Sequence, residues 1–388
     1  MIIADVRAIA IKIPETEFWG GRGADVLPAR QGDWDYIQQP GWLGLYSSKI
    51  ETCLVRIETA DGLVGYGEGQ TPIGPEVTAA AVEKVLRPIL VGEDPMRVGV
   101  LRRRMYEALM TRGHFTGTIV DALAGADSAL WDLRGKSLGR PVADLLGGAF
   151  RRRIPAYVSG LRGQSADEQI ANAREYVRRG FRAIKLFLTE GVDRDIARLR
   201  RIREGLDSEV RLMIDILWAY DLPAAVRMGD VCDQLGVSWF EAPIHPQDLD
   251  GHAELARVLK VPVASGETDR TRYQFLEQFR RRALDIAQPD IGRTGISEGK
   301  VIAELAETFN IPLTMHTGMA SAALIAASLQ VAATIPHCWY QEYQPLVTDV
   351  ANRFLKTPLA CDQGHFELPT EPGLGIEFDE AALRAYQV

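Results

Sequence analysis

The sequence predicts an α/β fold in which a parallel barrel of β/α units follows a smaller α+β module. Three observations predict it. Asp215, Glu241 and Glu267 recur at an interval of 26 residues, each closing a short apolar run. Amphipathic stretches fill the gaps between those runs, the alternation that successive β/α units produce. The first third of the chain does not share this rhythm. Units of this kind close into a barrel whose strand C-termini share one rim.

At 388 residues the chain is too long for one ordinary core, and a barrel with one smaller domain accommodates it. A hydrophobic content of 46% and a charged content of 25% are those of a soluble globular protein. The net charge of −8, with no basic domain to offset it, argues against a nucleic-acid partner. The runs Arg151-Arg152-Arg153 and Arg280-Arg281-Arg282 read as solvated helix ends or linker charges. Cys53, Cys232, Cys338 and Cys361 lack CxxC spacing, so neither a zinc site nor a disulfide framework is indicated. No signal-peptide layout opens the sequence and no apolar run approaches a membrane span, so the expectation is a cytoplasmic protein without a membrane partner.

Residues 2–13 alternate as a strand, and residues 52–68 read as a hairpin turned by Asp61-Gly62. Between them, residues 18–48 are irregular and rich in Gly, Trp and Tyr, including Arg22, Trp34, Tyr36, Trp42 and Tyr46. A long loop with that much aromatic surface is a lid over a site or a subunit contact. Helical patterns follow at about 74–90, 95–110 and 118–137. The expected organisation is an α+β domain over 1–125, a barrel over 126–345, and a segment over 346–388 that returns to the first domain. Barrel strands end near Ser159, Lys185, Asp215, Glu241, Glu267, Asp290, His316 and Glu342, with intervals from Lys185 of 30, 26, 26, 23, 26 and 26.

Three acids on neighbouring strand ends converge on one point. Bare carboxylates so placed repel one another and are driven towards protonation unless a cation sits among them. An all-oxygen donor set favours Mg²⁺ over zinc. Helix capping by strand-end acids is the competing explanation for each one singly. On the second strand, period two puts Ala183, Lys185 and Phe187 on one face. A lysine pointing into a barrel needs an anion nearby, unless it lies at a ragged strand end. Asp290 and His316 fall on adjacent strands at the same rim, and an aspartate beside a histidine orients the ring and raises its basicity. His245, His252, His337 and His365 have no such company. His114, after Gly113 in a loop, is kept as a possible substrate contact.

Together these residues resemble the mandelate racemase group of the enolase superfamily. The matching stretches are Met213-Ile214-Asp215, Trp239-Phe240-Glu241-Ala242-Pro243, Ser265-Gly266-Glu267, Gln288-Pro289-Asp290, Met315-His316 and the Ala129-Leu130-Trp131-Asp132 helix. The resemblance covers nearly the whole chain. It implies a modified TIM-type (β/α)7β barrel with an N-terminal α+β capping domain. It also implies that Asp215, Glu241 and Glu267 hold Mg²⁺, that His316 and Asp290 form the catalytic dyad, and that Glu342 hydrogen-bonds the substrate carboxylate.

One departure is informative. Many members carry Lys-x-Lys on the second strand, the second lysine acting as a base on the opposite face of the substrate. Here the stretch is Lys185-Leu186-Phe187, so Lys185 matches the first lysine and Phe187 replaces the base. The resemblance then implies a carbon–oxygen lyase: an Mg²⁺-dependent dehydratase of an aldonate or aldarate, yielding a 2-keto-3-deoxy acid. The enzymatic alternative is a racemase, epimerase or cycloisomerase with Lys185 as second base; the non-catalytic one is a metal- and ligand-binding sensor. Arg22 and Trp34 in the lid, with His114, are the candidate substrate contacts. A symmetric homo-oligomer is the expected assembly.

Overall fold

A computed structural model describes residues 1–14, 36–38 and 43–388. The N-terminal domain contains β1 (Ile3–Pro14), β2 (Tyr36–Gln38), β3 (Leu45–Ser47), β4 (Lys49–Thr59) and β5 (Val64–Gly69). β1, β4 and β5 form an antiparallel sheet in the order β1-β4-β5, while β2 and β3 pair separately. Gly62, at φ 87°, takes the left-handed turn between β4 and β5 that a side chain would resist. One face of the sheet packs on the helix Thr118–Leu138. Gly65, Gly67 and Gly69 make this close approach possible, since a Cβ on each would lie 2.4, 2.1 and 2.5 Å from the carbonyl oxygens of Ala129, Gly125 and Asp121. The stretch expected as one helix over 74–90 is a helix Pro75–Ala81, a π turn Val82–Leu86 and a short helix Arg87–Leu90.

Eight parallel strands follow: β6 (Arg153–Val158), β7 (Ala183–Phe187), β8 (Arg211–Asp215), β9 (Trp239–Glu241), β10 (Val263–Ser265), β11 (Ile286–Ala287), β12 (Leu313–Met315) and β13 (Cys338–Tyr343). Each pairs with the next, and β13 pairs with β6 to close the barrel. Alternation along the strands sorts the side chains. Tyr157, Ala183, Met213, Trp239, Ala264 and Ile286 fill the barrel interior. Ile184, Ile214, Phe240 and Val263 face outward into the larger core shared with the helices. The Tyr157 and Trp239 rings meet edge-on at 5.3 Å, so the bottom of the barrel is filled and only its top can hold a ligand.

After the helix Pro345–Asn352, β14 (Cys361–Asp362) and β15 (His365–Glu367) add to the barrel sheet, β15 running antiparallel to β6. The chain then reaches the N-terminal domain, where Tyr66 Oη donates to Glu380 at 2.9 Å and Ile11 bridges to Gln387. Glu68, at the end of β5, ties that domain to the barrel rim. Its buried carboxylate accepts from the Ser321 and Leu324 backbone N–H groups, at 2.5 and 2.8 Å, at the start of the helix Ala322–Ala333. A carboxylate on a helix N-terminus satisfies orphan donors and meets the positive end of the dipole. No helix among the described residues is long and apolar enough to cross a membrane.

Candidate active site

Inward parity carries chemistry to the top of the barrel. On β8 and β9, Asp215 follows Met213 by two positions and Glu241 follows Trp239 by two, so both carboxylates turn inward above those side chains. Glu267 arrives differently. Period two from Ala264 would give the inner position to Gly266, and Gly266 turns the chain at φ 126°, one residue past the end of β10. A Cβ there would strike the Phe275 ring at 2.7 Å. One ligand atom from each of Asp215, Glu241 and Glu267 lies within 4.8 Å of the others. The backbone just beyond is held in left-handed conformations at non-glycine residues, Leu217 and Trp218 after Asp215 and Ala242 after Glu241, at φ 51°, 59° and 47°. Local strain of this kind is characteristic of sites where side-chain direction matters more than backbone comfort.

Lys185 lies mid-strand, two residues before the end of β7, and is buried. Its Nζ stands 2.5 Å from Glu241 Oε1, 3.1 Å from Asp215 Oδ2 and 3.1 Å from Glu342 Oε1. Burial alone would favour the neutral amine, but Glu241, Glu342 and Asp215 hold it firmly protonated. The other Glu241 oxygen accepts from Gln288 Nε2 at 2.7 Å and Trp239 Nε1 at 3.1 Å. Glu342 Oε2 accepts the Thr317 backbone N–H at 2.9 Å.

Across the cavity, His316 Nδ1 lies 2.7 Å from Asp290 Oδ2, and Asp290 Oδ1 accepts the Gly292 N–H at 2.8 Å. His316 Nε2 points inward, 3.5 Å from Glu267 Oε2 and 3.8 Å from Glu342 Oε2. Burial pushes His316 down, but Glu267, Glu342 and Asp290 overcome it and raise the imidazole to about 10. Burial raises Asp290 too, and the His316 contact more than offsets this, holding the carboxyl below its usual range. Asp215 is pushed well up by burial and by the Glu241 carboxylate, and Glu267 is raised chiefly by burial.

Three carboxylates, two of them held up in pKa and together shielded by one lysine, make a site short of positive charge. Their donor chemistry and mutual distances fit a hard dication held by oxygen ligands. A dication among them would draw the raised pKa values of Asp215 and Glu267 down and lower that of His316 as well.

Lys185, Asp215, Glu267, His316 and Glu342 line a cavity of about 540 Å³ that is bounded also by Tyr46, Gln70, Ser159, Phe187 and Arg293. Not every expected site residue reaches it. Arg22 and Trp34 lie outside the described residues. His114 is exposed in the turn after the helix Val98–Met110 and does not line the cavity. Four contributors were not assigned to the site from the sequence. Gln288 was legible, since it shares inward parity with Ile286 and Asp290. Gln70, Ser159 and Arg293 sit at strand ends or helix starts where no motif marks them.

Residues 168–382 match the family described as Enolase C-terminal domain-like, and residues 46–147 match the Mandelate racemase / muconate lactonizing enzyme, N-terminal domain. The chain is 35% identical over 349 residues to the arabinonate dehydratase of Saccharolobus solfataricus, covering 89% of this chain and 92% of that protein. It is 34% identical over 348 residues to the D-galactarolactone cycloisomerase of Agrobacterium fabrum, covering 86% and 91%. The crystal structure of a racemase from Streptomyces coelicolor with bound magnesium superposes with a TM-score of 0.85 at 27% identity, over 100% of both chains. With both domain matches in chain order and a barrel rim carrying the acid trio and the His–Asp pair, this chain belongs to the mandelate racemase / muconate lactonizing enzyme family of the enolase superfamily.

Proposed function

We propose that this enzyme is an Mg²⁺-dependent dehydratase of a sugar acid, an aldonate or aldarate, and that it forms a 2-keto-3-deoxy acid. The observation that carries the reading is the one-sided distribution of bases. His316, oriented by Asp290, faces the acid trio, while Phe187 lines the cavity at the position where a second-strand base would stand. Elimination of water needs one such group, used twice.

Asp215, Glu241 and Glu267 are the proposed Mg²⁺ ligands. When bound there, the ion supplies charge stabilisation for the substrate carboxylate as its α-proton leaves. The protein groups do the rest. Asp290 holds the His316 ring by Nδ1, leaving Nε2 to take the α-proton. Lys185 and Glu342 flank the carboxylate and hold it in register. The imidazolium then returns its proton to the β-hydroxyl, which departs as water, and the enol tautomerises to the keto acid. The relative named arabinonate dehydratase supports the substrate class.

The galactarolactone cycloisomerase relative favours the alternative of an isomerisation with Lys185 as base. Lys185 fits that role poorly, because three carboxylates within 3.1 Å keep its proton in place. The four free cysteines fit a reducing cytoplasm. A screen of mono- and diacid sugars with Mg²⁺, scored for 2-keto acid, tests the proposal. Keto acid from at least one of them is expected, and isomerised acid with no loss of water would overturn it.

A further inference from the structure

Gln70 has no role in the chemistry described so far, yet the molecule makes unusual room for it. It stands just past the end of β5 in the N-terminal domain, 3% exposed, and lines the cavity. Its backbone N–H donates to Gly292 O at 2.9 Å, which pins it beside the segment that follows Asp290. Two glycines clear the space for its side chain. A Cβ on Gly292 would lie 2.8 Å from Gln70 Cβ, and one on Gly318 would lie 1.6 Å from Gln70 Nε2. Neither glycine has a positive φ, so the backbone does not require glycine there; the neighbouring side chains do, Gln70 at both positions and Leu324, nearer still at 2.2 Å, at Gly292. The Cβ position at Gly318 is also 3.4 Å from His316 Cε1, so the Gln70 amide packs alongside the imidazole.

The amide is seated but not satisfied. Among the described residues, Gln70 Oε1 is buried with no hydrogen-bond partner. A buried carbonyl oxygen left unpaired is destabilising, and the usual explanation is a partner that arrives with a ligand. The oxygen can only accept, so the arriving group must donate.

We infer that Gln70 Oε1 accepts a hydrogen bond from the substrate hydroxyl on the His316 side of the bound acid, the hydroxyl that leaves as water. This rests on the dehydratase reading and adds to it a group contributed by the N-terminal domain. In the elimination, the His316 Nε2–H bond breaks and its proton goes to the β-hydroxyl oxygen. The Cβ–O bond breaks with its electron pair passing to that oxygen. The pair left at Cα by the first proton transfer becomes the Cα–Cβ double bond. The departing water carries two O–H groups, and Gln70 Oε1 accepts one of them. An acid without that hydroxyl leaves the amide oxygen unpaired and is bound less well.

The test compares two reactions of the Mg²⁺-loaded enzyme in D2O. One is dehydration of five- and six-carbon aldonates, arabinonate among them. The other is exchange of the α-proton in the matching 3-deoxy aldonate, which needs the dyad but has no hydroxyl to lose. In Gln70→Leu the ratio of dehydration to exchange is expected to fall about tenfold or more, the effect of one neutral hydrogen bond. A ratio equal to that of the wild type, whether both rates fall together or neither falls, overturns the inference and leaves the dehydratase reading standing. A wild-type enzyme that dehydrates none of these aldonates and none of the corresponding aldarates overturns both. Should Gln70→Leu fail to fold, Gln70→Asn withdraws the oxygen by one methylene and is read in the same way.

Discussion

His316 and Asp290 are joined twice: by the 2.7 Å side-chain contact between Nδ1 and Oδ2, and by a parallel β-bridge between their backbones. The bridge fixes the relative height of the two residues, and the side-chain contact fixes the rotation of the ring. Replacing the carboxylate by an amide keeps the first constraint and alters only the second. Asp290→Asn is therefore expected to fold and to hold the metal, while kcat falls about a hundredfold to ten-thousandfold from the loss of a properly oriented base. Steady-state kinetics beside calorimetric Mg²⁺ titration checks it; a kcat within a factor of a few of wild type would remove the dyad from the mechanism.

The metal-free protein carries a pH signature at His316. Its folded pKa of about 10 lies above the unfolded value near 6.5. A group whose pKa rises on folding stabilises the protein fully below its unfolded value, and that contribution disappears as pH climbs through the folded value. Denaturation of metal-free wild type and His316→Asn should show the wild-type advantage largest below about pH 6.5 and fading towards pH 10. An advantage that grew with pH would contradict the assignment.

Lys185 is the one described cation that contacts two of the proposed metal ligands, Asp215 and Glu241. Removing it leaves buried carboxylates without a counter-charge, a change that destabilises by about 3–5 kcal/mol. Lys185→Met is thus expected to lower the melting temperature of the metal-free protein, and Mg²⁺ should raise that temperature more in the variant than in the wild type. Thermal scans with and without Mg²⁺ decide it. An Mg²⁺ response equal to or smaller than that of wild type would mean the ion binds elsewhere.

Positioning of the N-terminal domain depends on the glycines of β5. A Cβ at Gly67 would stand 2.1 Å from Gly125 O and 2.5 Å from Ala129 N, both backbone atoms that cannot swing aside. Gly67→Ala is expected to destabilise by about 1–3 kcal/mol through overpacking. A urea unfolding curve measures this, and an unchanged midpoint would show that the helix Thr118–Leu138 can shift at no cost.

Much of this site could be read from one dimension because period-two alternation is a local rule. Met213 to Asp215, Trp239 to Glu241 and Ile286 to Gln288 to Asp290 all obey it, and so does Lys185 after Ala183. Glu267 reaches the same point by breaking the rule at Gly266, and only its spacing gave it away. Gln70 and Arg293 were not legible. Their importance arises where the end of β5 meets the start of the helix Ile291–Thr308, a long-range juxtaposition that leaves no periodic trace. Glu68 was hidden for the same reason, since its partners Ser321 and Leu324 lie in the other domain. The β14–β15 extension of the barrel sheet also went unread, because β14 has two residues and β15 three, too few to show alternation.

The most direct measurement is the mass spectrum of a sugar acid after incubation with the Mg²⁺-loaded wild-type enzyme in D2O, beside His316→Asn. The account predicts from the wild type an acid that has lost one water and gained solvent deuterium at C3 on tautomerisation, detectable as a 2-keto acid, and unchanged starting acid from the variant. Starting acid recovered at full length with deuterium on its α-carbon and no water lost, or dehydration retained by His316→Asn, would contradict it.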